Sequence, residues 1–444
     1  MVTAPSRSLA DKLWEQLAPG ERAAPVAIEG AATLDSALAV SELAAASVAV
    51  AGRAAALVTG GAEVRVDSAL ASAWFGAAVR PHDPAAVPSP WDALAGDYRS
   101  ADGWIRLHTN APHHRAAAIA VLGVAPEADA VVAAVAAWRG EELESAVVAA
   151  GGCAAVMRTA GEWARHPQGA AVAAEPLVAW GEGRAGGGTT AIASARVLDL
   201  TRVIAGPVAT RLLAGLGADV LRVDPPGWDE PALEPDMTLG KRCARLDART
   251  AAGHDRLRAL VAEADIVVHG YRADALARLG LGDLDAIRPG IVDVGLDAYG
   301  YTGPWATRRG FDSLVQMSSG IAEEGMRWFG RDRPTPLPVQ ALDHATGYLA
   351  AAAALVGLAR RARTGRGSRA RLSLARTAVA LTDAGRGEPA SPPESGALAR
   401  LAPASVLHTP WGPASLLPSP VLVGGEPLRF ERGPRPLGSD APEW

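Results

Sequence analysis

The 444-residue chain has two cysteines, two lysines and few aromatic residues, which together make up 5% of it. Cys153 and Cys243 are too few and too far apart for a disulfide scaffold or a thiolate metal site. The nine histidines fall into neither HxxxH nor HExxH spacing, so no metal is expected. Lys12 and Lys241 are the lysines, and Arg carries the rest of the basic charge, a compositional bias rather than a selection for guanidinium chemistry. The net charge of −5 gives no electrostatic footprint for nucleic acid. Met1 to Trp14 is interrupted by Ser, Arg, Asp and Lys, unlike a signal-peptide core. The apolar run from Tyr348 to Ala359 is too short to span a bilayer. A cytoplasmic location without membrane or nucleic-acid partners is the expectation.

What is present is ordinary for a globular protein, 49% hydrophobic and 20% charged residues, over a length that suits two or three domains. The first strand–turn–helix, from Asp199 to Asp224, has Ala205-Gly206-Pro207 where a dinucleotide fold carries GxGxxG, so close approach of a pyrophosphate is unsupported. P-loop and GxSxG elbow motifs are absent too.

Residues 1–35 read as a lead-in and 36–80 as a helical connector. A smaller α+β domain is expected over 81–180. Its signals are a hairpin from Asp97 to Leu107 turning at Ala-Asp-Gly, three helices between Pro112 and Ala150, and a strand Ala154–Arg158. The glycine cluster from Gly181 marks a linker over 181–193. From Val197 the period changes to alternating strands and helices, which predicts a Rossmann-like parallel sheet over 194–383. Residues 384–444 read as a loop and a C-terminal segment packed on the large domain, with a strand at Pro418–Val423.

Asp343 opens a long apolar helix. Read alone it is an N-cap, or a carboxylate whose ionised form is favoured by the helix N-terminus. Arg222, Lys241, Arg242, Arg272, Arg278 and Arg309 recur near predicted strand ends, where ligands of open α/β sheets gather. Converging cations there would suit a polyphosphate, against the alternative that each is a solvated surface charge.

From Val197-Leu198-Asp199-Leu200-Thr201-Arg202 through Ala205-Gly206-Pro207 the sequence resembles the class III CoA transferases, the CaiB/BaiF family. Matching blocks follow in order: Leu213 to Val220, Gly240-Lys241-Arg242, Ala264 to Val268, Tyr299 to Pro304, Arg309 to Asp312, Gln316, Asp343 with Thr346-Gly347, and Thr364 to Gly367. Tyr98, Asp102 to Ile105, and Val156 to Gln168 resemble the family's small domain, which ordinarily follows the catalytic region. The order here is therefore that of a circular permutation, small domain first.

The resemblance implies a CoA-transferase family III fold, a homodimer, and no permanent cofactor, with a coenzyme A thioester as substrate and a carboxylic acid as acceptor. It implies Asp343 as the catalytic carboxylate, forming an aspartyl–acyl anhydride and then an aspartyl–CoA thioester. Oxyanion donors are expected near Gly310 or Gln316. The coenzyme A contacts it implies are Arg278 and Arg309, with Tyr271 beside the adenine; Arg222 and Lys241 join the expected coenzyme A set from their place near strand ends. Trp328 and Phe329, ahead of the catalytic block, are expected to line an acyl pocket. The alternatives are an acyl-CoA racemase or isomerase, whose His–Asp pair is replaced here by Phe311-Asp312, and a non-catalytic relic binding CoA or a partner.

Overall fold

A computed structural model describes residues 7–188, 191–271, 273–387, 401–403 and 405–444. Its centre is a seven-stranded sheet of β1 (Ala179–Ala185), β2 (Arg196–Leu200), β3 (Asp219–Asp224), β4 (Arg242–Arg245), β5 (Ile266–His269), β6 (Val292–Asp297) and β7 (Arg366–Ser373). The spatial order is β4-β3-β2-β5-β6-β7-β1. Every pair is parallel except the last, in which β1 runs antiparallel to β7. Strand residues such as Val197, Leu198, Val267 and Val292 are buried, because helices cover both faces and neither side of the pleat meets water. Chain order reverses between β2 and β5, which is where a doubly wound sheet opens a crevice.

Four helices matter for the site: α1 (Val40–Thr59), α2 (Ala205–Gly215), α3 (Asp312–Ser318) and α4 (Ala341–Thr364). α4 packs along both α1 and α2. Its Ala and Gly content permits close contact: a Cβ on Gly347 would meet the Ala205 carbonyl oxygen at 2.4 Å. By length and composition α1 and α4 are apolar enough to cross a membrane, yet 78% and 100% of their most apolar windows lie inside the protein. Both are core helices.

The expected lead-in and connector belong to this core. A helix at Leu9–Leu17 buries Leu9, Leu13, Trp14 and Leu17 against it. Strands Val26–Glu29 and Val64–Asp67 form one sheet with Val421–Val423 and Glu426–Pro427, so the two ends of the chain meet. The expected linker is corrected as well. Gly181 to Ala185 lie in β1, hydrogen-bonded to β7. A Cβ on Gly183 would stand 2.6 Å from Gly367 C, and one on Gly186 would stand 2.1 Å from the Pro289 carbonyl oxygen. These glycines serve close backbone approach rather than flexibility. Most of the expected 384–403 loop lies outside the described residues.

The smaller unit is a three-stranded sheet with three helices packed on it. Gly96–Arg99 and Trp104–Leu107 form the hairpin, Ala154–Val156 adds a third strand, and three helices (Pro112–Leu122, Ala128–Ala136, Gly140–Ala149) close one core with them. Polar clamps fix this unit to the loop after β6. Gln168 Nε2 donates to the carbonyls of Tyr299 and Thr302 at 2.7 and 2.9 Å. Glu175 Oε1 accepts the N–H groups of Tyr301 and Thr302, and buried Glu144 pairs with both Arg158 and Arg308.

Candidate active site

A cleft of about 360 Å³ opens outside the carboxyl ends of β2, β5, β6 and β7, with the smaller unit as its far wall. The strands contribute Leu200 to Val203, Gly270-Tyr271, Leu296 to Ala298, and Leu374. Arg308 to Phe311 form the floor, and His113 and His114 enter from the smaller unit. Asp343 lines the same space.

Asp343 is the third residue of α4 and does not cap it; the N-cap position is Gln340. The cap comes from elsewhere: Asp312 Oδ2 accepts the Asp343 N–H at 3.0 Å, and the Asp312 carboxylate also takes the Leu342 N–H. Gln316 holds Asp312 through its amide nitrogen, while its amide oxygen accepts the Leu337 N–H at 2.7 Å. The positive end of α4 is thereby spent on Asp312. Among the described residues no donor reaches the Asp343 carboxylate, and burial followed by the Asp312 charge pushes its pKa well above the usual range. The expectation that the helix end would favour its ionised form is therefore overturned. Burial also pushes Asp312 up, to about 6, against its hydrogen bonds. Two carboxyls this close titrate as a pair.

The expected coenzyme A residues divide. Tyr271, Arg278 and Arg309 line the cleft. Tyr271 accepts a hydrogen bond from Arg202 Nη2 at 3.0 Å, and Arg309 Nη1 donates to the Gly151 carbonyl at 3.1 Å. Arg222 and Lys241 are fully buried and do not reach the cleft. Strand alternation turns the Arg222 guanidinium inward, where it pairs with Asp224 at 2.8 Å and Glu230 at 2.7 Å. Lys241 Nζ bonds Asp199 Oδ2 at 3.0 Å and the Pro207 carbonyl at 2.9 Å. Both residues instead brace the β2–α2 turn. Glu230, held by Arg222, accepts the Val203 N–H at 2.8 Å; Asp199, held by Lys241, accepts the Thr201 N–H at 3.0 Å. That turn needs bracing, because Val203 has φ 65°, a costly conformation for a β-branched residue, and it lines the cleft.

Arg242 also points away, pairing with Asp219 at 2.7 Å. Arg272 lies outside the described residues. Of the two expected oxyanion positions, Gly310 lines the cleft and Gln316 is buried behind Asp312. A Cβ on Gly310 would collide with Ala298 and Tyr299 at 2.6 Å, so glycine is what lets this backbone lie against the strand end. Trp328 is 40% exposed under Arg386, and neither it nor Phe329 lines the cleft.

Sequence reasoning missed Arg202, Trp228, His113 and His114. Arg202 lies between aromatic rings, its guanidinium 4.8 Å from the Trp228 centroid and 5.5 Å from that of Tyr271. Trp228 sits in a Pro- and Gly-rich loop with no periodicity to mark it. His113 and His114 come from a segment about two hundred residues from Asp343, in a different unit, so no local pattern connects them. Asp297, at the end of β6, is another buried cleft carboxyl, pushed up to about 7 by burial and by nearby Glu175.

Residues 192–397 match the family described as CoA-transferase family III. Among curated proteins, the chain is 32% identical over 189 residues to the succinyl-CoA:glutarate CoA-transferase of Mus musculus, covering 39% of this chain and 42% of that protein. It is 29% identical over 212 residues to an acyl-CoA transferase of Gibberella moniliformis, covering 42% and 37% respectively. The chain thus spans less than half the length of these relatives. Among solved structures, a CaiB/BaiF family protein from Brucella suis superposes with TM-score 0.37 and 27% identity, covering 50% of this chain and 64% of that one. The Mycobacterium tuberculosis protein Rv3272 gives TM-score 0.39 and 31% identity over 43% and 56%. The matched span, residues 192–397, holds the parallel strands β2 to β7 and the Asp343 block, so this part of the chain is similar to CoA-transferase family III.

Proposed function

We propose that the protein is an acyl-CoA:carboxylate CoA-transferase that works through a covalent intermediate on Asp343. The observation that carries this reading is a carboxyl, buried at the helix terminus, with no hydrogen-bond donor among the described residues and open to a cleft at the sheet's switch point. A structural aspartate at such depth is paired; an unpaired one is kept for chemistry. The relatives' names, a succinyl-CoA:glutarate CoA-transferase and an acyl-CoA transferase, fit the same reaction class.

The ionised Asp343 oxygen adds to the thioester carbonyl, and CoA thiolate leaves, giving an aspartyl–acyl anhydride. The thiolate then attacks the aspartyl carbonyl of the anhydride. An aspartyl–CoA thioester forms and the first acid departs as its carboxylate. The acceptor carboxylate attacks this thioester and expels CoA thiolate, which adds to the new acyl carbonyl. Acceptor acyl-CoA leaves and the Asp343 carboxylate is restored. Charge and protons balance over the cycle, and covalent capture divides one hard exchange into easier steps. A carboxylate with a raised pKa is the stronger nucleophile once ionised. The Gly310 backbone, against Ala298 on the cleft floor, supplies an oxyanion donor. Arg202, Arg278 and Tyr271 receive the coenzyme A phosphates and adenine at the other end. Phe311 cannot take an α-proton, which disfavours racemisation at the position where that branch carries His. The small-domain-first order is read as a rearrangement, and the protein as a cytoplasmic homodimer.

Intact-protein mass after mixing with a panel of acyl-CoAs tests the mechanism. An adduct of acyl or CoA mass is expected, released by hydroxylamine and absent from Asp343→Ala. Absence of any adduct together with washout of α-deuterium would overturn it in favour of the isomerase branch.

A further inference from the structure

The wall contributed by the smaller unit is not needed by the aspartyl chemistry. His114 is 3% exposed, and both its ring nitrogens lack a partner. It lines the cleft beside His113, whose ring centroid is 4.1 Å away, and shares that end of the cleft with Arg309. Phe311 is held between the two units: its ring stacks on His108 at 3.8 Å and meets the His114 ring edge-on at 5.8 Å. Asp312 follows Phe311 directly and caps the Asp343 helix, so the His114–Phe311 contact lies beside the Asp343 end of the cleft.

A buried imidazole with neither nitrogen satisfied costs stability unless a ligand completes it. Burial, with His113 and Arg309 nearby, pushes His114 down to about 4, so it is neutral and presents one N–H donor and one acceptor. A ligand group that accepts from His114, is anionic toward Arg309 and accepts a hydrogen bond from a neutral His113 meets all three. We infer that His114, with His113 and Arg309, is a specificity site reading a second carboxylate at the far end of the acyl chain, so that the preferred acids are short dicarboxylic acids. This rests on the transferase reading for what occupies the cleft, though not on the covalent step.

The test is calorimetric binding of succinyl-CoA, butyryl-CoA and 4-hydroxybutyryl-CoA to the full chain carrying Asp343→Asn, which blocks turnover. The three thioesters match in chain length and differ in the terminal group. Succinyl-CoA is expected to bind at least about ten-fold more tightly than butyryl-CoA, the scale of one charge-assisted hydrogen bond. His114→Phe, which keeps ring volume and removes both nitrogens, should collapse that ratio toward one. His114→Asn should retain part of it, and it gives the same readout should the Phe variant not fold. Equal binding of succinyl- and butyryl-CoA would overturn the assignment. So would a ratio that survives both substitutions, or 4-hydroxybutyryl-CoA binding as tightly as succinyl-CoA. His114-dependent α-deuterium exchange would overturn it as well, by making His114 a base. A succinyl preference that depends on His114, in a protein that forms no hydroxylamine-sensitive adduct, would sink the covalent mechanism and leave this site standing. Failure of every thioester to bind would overturn both.

Discussion

Two buried aspartates have opposite fates. Asp199, at the end of β2, is fully buried; burial would raise its pKa, but Lys241, Arg222, Thr201 and Thr210 outweigh that and hold it below the usual range. Asp343 is buried in the first turn of α4, and its charged neighbour is a second carboxylate, so burial and repulsion act together. The first residue is completed by the fold and holds a loop. The second is left incomplete by the fold and faces the cleft. Burial alone does not decide the state of these carboxyls; the sign of the neighbouring charge does.

On the proposed mechanism, removing the incomplete member should have the largest effect. Asp343→Asn is expected to lower transfer by at least about a thousand-fold, the scale of a lost covalent nucleophile. The same substitution should raise the midpoint of thermal unfolding at pH 8. A carboxyl with a higher pKa folded than unfolded binds protons more tightly in the native state, so it costs stability as pH rises from the unfolded value through the folded one. The gain should vanish below about pH 4, where both states are protonated. Loss of activity with loss of stability would place Asp343 among the structural aspartates.

The completed member should behave in reverse. Lys241→Met leaves Asp199 as an uncompensated buried charge and is expected to cost about 3–5 kcal/mol in denaturant unfolding. Asp199 contributes stability above its unfolded pKa, and this is lost as pH falls through its lower folded value. Asp199→Leu combined with Lys241→Met should recover much of the loss, since removing both partners of a buried pair is far less damaging than removing one. A Lys241→Met protein of unchanged stability that binds acyl-CoA poorly would restore Lys241 to the ligand set.

The same contrast explains what the sequence made legible. Strand–helix alternation from Val197 onward marked the parallel sheet, and the hairpin and helices of the smaller unit fell where turn chemistry and apolar runs put them. Asp343 was reached through family blocks, since a helix-opening Asp is by itself ordinary. Arg222 and Lys241 were assigned to the ligand because proximity to a strand end was visible, whereas the direction of the side chain depends on pleat and partners set by Asp224, Glu230 and Asp199. Gly181 to Gly186 read as a linker because glycine's two uses, freedom and close approach, look alike until Gly367 and Pro289 are placed beside them. His114 joins Asp343 only through the packing of two units.

At the cleft's far end the expected effect is smaller. Arg202→Ala removes a guanidinium stacked between Trp228 and Tyr271 and should raise KM for acyl-CoA about ten-fold with kcat little changed, as expected for binding shared by ground and transition states. An equal fall in kcat would mean that Arg202 acts on the reacting centre instead.

The finest test changes the neighbour and keeps Asp343. Asp312→Asn removes the charge that adds to burial in raising Asp343, while the amide oxygen can still accept one of the α4 N–H groups. Asp343 should then ionise at lower pH, and the acid limb of kcat/KM, rising with pH as the nucleophile deprotonates, should move down. Asp312→Ala gives up the helix cap as well, so it should show the same shift together with a lower unfolding midpoint. An acid limb that stays in place in Asp312→Asn would mean that burial alone raises Asp343. The contrast with Asp199 would then rest on the missing cation rather than on the second carboxylate.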